Sequence, residues 1–171
     1  MNSLSLIKPE LLEFTDEQLY VLAPYFFVIV GALLGTLACT LKSERAKWIV
    51  VSFCAISAVI GMAWSFRLLD QDSLALFNGM MVSDHYSTFF NVLFLGSALF
   101  TILASVRYLD RENLQHPEYY VLIMFSTIGM MLMASSLDLI MIFIALEIMS
   151  LCVYMLVGFR RADRKSNEAA M

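Results

Sequence analysis

The chain has 171 residues, of which 60% are hydrophobic and 15% charged, with mean hydropathy +0.77 and a formal net charge of -4. Soluble domains run about 45–50% apolar and ~25% charged, so a water-soluble globule is excluded and a helical membrane protein is indicated. There is no basic patch for nucleic acid, no phosphate-binding glycine loop, no dinucleotide fingerprint and no Cys/His cluster for a metal.

Residues 1–18 are polar and acidic, with Glu10, Glu13, Asp16 and Glu17 against Lys8. A cleaved secretory signal would carry a positive start, so this segment is read as external and the first apolar run as a permanent span. Residues 19–117 hold three spans with their loops. Span 1 covers Leu19–Leu41, with Pro24 in its opening turns and Gly31 and Gly35 spaced for close helix packing. Span 2 covers Trp48–Leu69, where Ser57, Gly61 and Ser65 form a second small-residue stripe, and Arg67 near its end can reach the interface. In the following loop, Asn78-Gly79 between apolar residues predicts a β-hairpin on the membrane surface. Span 3 covers His85–Val106, and its Asn91 reads as a packing hydrogen bond. His85 and His116 lie just outside spans and read as interfacial residues, while Cys39, Cys54 and Cys152 sit in three separate apolar runs.

Residues 118–171 contain spans 4 and 5 and a basic tail. Pro117 opens span 4, Glu118–Ser135, whose Met130, Met131 and Met133 are adaptable core residues. Spans 4 and 5 together are too long for one crossing, so Ser135, Ser136 and Asp138 must mark a turn. Span 5 is Leu137–Phe159, LDLIMIFIALEIMSLCVYMLVGF. At 1.5 Å per residue it is about 34 Å long, enough for a ~30 Å hydrocarbon core. Its one carboxylate, Glu147, falls near the midplane, where an acid costs roughly 2.5–3.5 kcal/mol on insertion scales. Such a residue is a functional-site candidate, against the plainer reading of a protonated helix–helix contact; its role as a proton relay is what the resemblance given below implies. Phe143, Glu147, Ser150 and Tyr154 share one face, which is expected to look into the bundle or a hydrated cavity. No cation of the five spans can reach Glu147, so its partner is expected from elsewhere.

The lysine and arginine count sets the expected orientation. One side receives Lys42, Arg45, Lys47, Arg107, Arg111, Arg160, Arg161, Arg164 and Lys165, and the other only Lys8 and Arg67. This places the N-terminus outside and the C-terminus in the cytoplasm. Tyr20, Tyr25, Trp48, Tyr86, Tyr108, Tyr119 and Tyr120 read as an interfacial aromatic belt, with Trp64 and Tyr154 deeper.

Four segments carry a resemblance: EYY at Glu118–Tyr120, STIG ending at Gly129, ALEIMSL around Glu147, and RRADRKSNEAA. Together they resemble the opening of the antiporter-like core of proton-pumping subunits of respiratory complex I, most closely the subunit N family of bacterial NADH–quinone oxidoreductases. Spans 1 to 3 and VSDHYSTFF are similar more loosely. The resemblance implies an all-α polytopic protein of about fourteen helices with an inverted repeat. It also implies a hydrated axis of charged residues at the midplane, in which Glu147 pairs with a lysine on a broken helix further along. Other membrane subunits of the complex and the lipid bilayer are the implied partners, in a bacterial inner membrane. NADH, FMN, iron–sulfur clusters and quinone are implied to belong to other subunits, with quinone felt only indirectly. The chain ends at Met171, before that lysine, so it reads as the first third of a longer subunit that would not pump alone. Two alternatives remain: a subunit of a multi-subunit Na+/H+ antiporter, and a non-transporting five-span scaffold.

Overall fold

A computed structural model describes residues 15–40, 46–111 and 116–159. The N-terminal acids up to Glu13, the cations Lys42 and Arg45, and the tail from Arg160 lie outside the described residues. The protein is an all-α, polytopic membrane protein, with five helices among the described residues that are each long and apolar enough to cross a bilayer. They are α1 (Asp16–Cys39), α2 (Ala46–Leu68), α3 (His85–Arg111), α4 (Glu118–Ser135) and α5 (Leu139–Val157). Spans 1, 2, 4 and 5 start and stop within three residues of expectation. Helix α3 runs five residues past Val106, because its charged end is held: Asp110 pairs with Lys47 at the start of α2.

Successive helices pack as neighbours, and α4 is the common partner, touching α1, α2, α3 and α5. Over half of its most apolar window is buried (56%), against 11% for α5, which packs almost entirely on α4. Both small-residue stripes do what their spacing predicts. Added at Gly31, a Cβ would fall on the Cβ and Oγ of Ser57. One at Gly35 would come within 3.2 Å of Val121 on α4, and one at Gly61 within 3.0 Å of Val28 on α1. Met131 is fully buried in the core, with Met130 and Met133 half-buried beside it.

The predicted hairpin is present as strands β1 (Leu74–Leu76) and β2 (Met81–Ser83), antiparallel with Leu74 opposite Ser83. Its turn needs left-handed backbone at Phe77 (φ 50°), Asn78 (φ 57°) and Gly79 (φ 88°), which asparagine and glycine adopt at little cost. After β2, Asp84 caps α3: its Oδ1 accepts from the Ser87 amide at 2.7 Å, and Ser87 Oγ accepts from the Asp84 amide at 3.0 Å.

The aromatic belt needs correction at two positions. Trp48, Tyr86 and Tyr108 are exposed at span ends, but Tyr25 and Tyr120 are almost fully buried. Tyr25 is consumed by a polar contact inside the bundle, described below. Deep Trp64 is also satisfied, donating from Nε1 to the Tyr20 carbonyl at 3.0 Å.

Candidate functional site

The candidate site lies on the hairpin of α4 and α5. The connection falls at the predicted residues: Ser136 Oγ donates to the Leu132 carbonyl at 2.6 Å, and Asp138 caps α5 by accepting from the Ile140 amide at 2.9 Å. The β-hairpin holds this turn, since the Leu137 amide donates to the Met80 carbonyl at 2.9 Å and Met81 bridges to Ser136. At the other end Phe159 meets the rings of His116 and Tyr119 edge-on, at 5.8 and 5.3 Å. Between these two fastenings the helices touch backbone to backbone at Gly129. A Cβ there would stand 2.8 Å from both the Ala145 carbonyl oxygen and the Met149 amide nitrogen.

That contact fixes which way α5 faces. Ala145 is buried on α4, and Met141, Met149, Cys152 and Leu156 are half-buried along the same stripe. Glu147 is two residues from Ala145, about 200° around the helix, and so points away from α4. It is exposed, as are Phe143 and Tyr154, with Ser150 half-buried beside them. The four residues share a ridge as the spacing predicts, but the expectation that this ridge turns into the bundle does not hold within these five helices. The ridge lies on the outside of the unit, and among the described residues no hydrogen bond or ion pair reaches Glu147. Along the axis the carboxylate stands about 13 Å from Asp138. An ionisable group in the middle of an apolar helix is costly to leave facing hydrocarbon, which would leave it unsolvated.

A second polar cluster lies inside the bundle. The Asn91 amide nitrogen on α3 donates to the Tyr25 hydroxyl on α1 at 2.9 Å, and Ser135 of α4 lies beside that hydroxyl. Ser135 Oγ in turn donates to the Met131 carbonyl at 3.1 Å. Among the described residues, Asn91 Oδ1 is buried without a partner, as is the Tyr120 hydroxyl. The packing role expected for Asn91 is therefore observed, but its partner was missed. A tyrosine near a span end carries the same signal whether it faces headgroups or a neighbouring helix.

Residues 136–171, which contain α5 and Glu147, match the family model described as NADH:quinone oxidoreductase/Mrp antiporter, TM. The wider chain is 35% identical over 152 residues to NADH-quinone oxidoreductase subunit N 2 of Rhizobium meliloti (strain 1021), a match covering 86% of this chain and 31% of that protein. It is 36% identical over 173 residues to NADH-quinone oxidoreductase subunit N 1 of Koribacter versatilis (strain Ellin345), covering 95% and 33%. Over most of its length the chain is similar to subunit N of NADH-quinone oxidoreductases. A third relative, NADH-quinone oxidoreductase subunit N of Trichlorobacter lovleyi, is 44% identical over 99 residues, 58% of this chain and 20% of that protein. The chain thus spans about a third or less of the length of the curated relatives it matches. Matches to subunit N cover α1–α3 as well as the α4–α5 hairpin, since they take in as much as 95% of the chain.

Proposed function

We propose that this chain supplies the Glu147 proton relay of a membrane subunit of proton-translocating NADH–quinone oxidoreductase. The observation that carries the reading is a carboxylate at mid-span on α5, turned away from its own bundle and matched to no cation there. A basic residue outside these five helices, expected to be a lysine, faces it. Protonation of Glu147 loosens the pair, and loss of the proton restores it. Ser150 and Tyr154, on the same ridge, offer a hydroxyl and a phenol to carry the proton or a water next to it. Moving one charge against 150 mV costs ~3.5 kcal/mol at ~2.3 kcal/mol per 100 mV, within the range that breaking one desolvated ion pair covers.

In this reading the N-terminus is external, the C-terminus cytoplasmic and the membrane a bacterial inner membrane, following the nine-to-two division of lysine and arginine in the sequence. NADH, FMN, iron–sulfur clusters and quinone are handled by partner subunits, and this chain contributes to the reaction only within the complex. The test is Glu147→Gln in the full-length subunit, assembled in membrane vesicles. NADH oxidation with an artificial acceptor should persist while NADH-driven proton translocation falls. Translocation at the wild-type level would remove Glu147 from the mechanism.

A second reading, a subunit of a cation/proton antiporter, is favoured by the matched family's inclusion of Mrp antiporters. It predicts proton movement that follows a Na+ gradient and needs neither NADH nor quinone.

A further inference from the structure

We propose that Gly129 is a positioning residue for Glu147, its missing side chain setting how far the carboxylate stands off from α4. The inference rests on the proton-relay reading above. The atoms that a Cβ at Gly129 would meet are the Ala145 carbonyl oxygen and the Met149 amide nitrogen at 2.8 Å, with Met149 Cβ at 3.0 Å. Two of the three are main chain, so no side-chain rotation relieves the contact. The middle of α5 must move, in the direction away from α4.

Glu147 sits between these two contact residues and on the opposite side of the helix. Displacement of α5 away from α4 therefore carries the carboxylate outward, toward whatever faces it. The rest of the hairpin resists a compensating tilt. One end is tied by the Leu137–Met80 hydrogen bond and the other by Phe159 against His116 and Tyr119. The groups that could confuse the effect are few: α4 carries Glu118, Tyr119 and Tyr120 at its far end, and α5 carries Cys152 on the α4 side and Tyr154 two turns on. None of them lies between Glu147 and the outside.

The shift needed to bring a 2.8 Å contact to the 3.4 Å at which ordinary van der Waals contact begins is about 0.6 Å. For opposite charges near 4 Å, approach by that distance at an effective dielectric of about 20 changes an equilibrium about threefold, in favour of the closed pair. Gly129→Ala should therefore hold the relay closed.

The experiment compares Gly129→Ala, Glu147→Gln, the double variant and Gly35→Ala in the full-length subunit within the assembled complex. Gly35→Ala adds the same methyl on the α1 side of α4, against Val121 Cγ2 at 3.2 Å, and leaves α5 alone. Two quantities are read: protons translocated per NADH oxidised, and the infrared carboxyl band that Glu147→Gln removes. The expected result is a proton ratio lowered about threefold and a displaced carboxyl band in Gly129→Ala, neither change in Gly35→Ala, and no further loss when Gly129→Ala is added to Glu147→Gln. An unmoved band and ratio, losses that add in the double variant, or the same losses in Gly35→Ala would each overturn the proposal. Failure of Gly129→Ala alone to assemble would also overturn it, leaving a glycine needed only for packing. A Glu147→Gln complex that pumps normally sinks the relay reading and this inference with it.

Discussion

The Asn91–Tyr25 contact allows a sharp test of what a polar residue does inside this bundle. Asn91 donates a hydrogen bond to the Tyr25 hydroxyl at 2.9 Å and buries a carbonyl oxygen that has no partner among the described residues. A hydrogen bond between membrane helices contributes about 0.6 kcal/mol on average and at most about 1.7. A buried group left without a partner costs about 1–3 kcal/mol. Asn91→Leu removes both the bond and the orphan oxygen, so the two effects nearly cancel and stability should stay within ~1 kcal/mol of wild type. Tyr25→Phe removes the acceptor but leaves the whole amide buried, and should cost about 1–2 kcal/mol. In the Asn91→Leu background the cost of Tyr25→Phe should fall to about 0.5 kcal/mol, because no amide then remains to be stranded. The assay is reversible unfolding of the full-length subunit by SDS titration in mixed micelles, read by loss of tertiary circular dichroism. If Asn91→Leu costs more than Tyr25→Phe, or the two costs simply add, the ordering argued from the orphan oxygen is wrong.

Two further outcomes are expected. Gly31→Ala drives a methyl into Ser57 and should destabilise the α1–α2 pair by about 1–3 kcal/mol, while Ser57→Gly, which removes both atoms in the way, should restore most of the loss in the same SDS titration. Lys47 and Asp110 pair the start of α2 with the end of α3, with Asp110 about half-exposed. Either single charge reversal should lower stability by no more than about 1 kcal/mol, the double reversal should recover it, and high salt should erase the difference.

Much of the architecture was legible because each signal was local. The Asn78-Gly79 pair encodes a left-handed turn, and the turn is there. Ser135, Ser136 and Asp138, three polar residues within four positions of a long apolar run, mark the break between α4 and α5, where the Ser136 and Asp138 side chains satisfy backbone groups that the helices leave free. The end of α3 was not legible. RYLDR has too many charges for a span, and only the partnership of Asp110 with Lys47, distant in sequence, explains why the helix continues. Tyr25 failed for a similar reason, its hydroxyl being claimed by Asn91 on a helix 66 positions away.

By itself the sequence determined that five stretches of the described residues are long and apolar enough to cross a membrane, where each begins and ends to within a few residues except at the close of α3, and that one carboxylate stands near the middle of the last of them. These follow from transfer free energy, which depends on composition along the chain. Only the tertiary structure decided the direction in which that carboxylate points. In a helix that is apolar on every side, lipid and protein neighbours are equally acceptable, so hydrophobicity cannot mark a face. The choice was made by Gly129, where the one missing side chain on α4 lets the Ala145–Met149 backbone settle, and Glu147 is left looking outward.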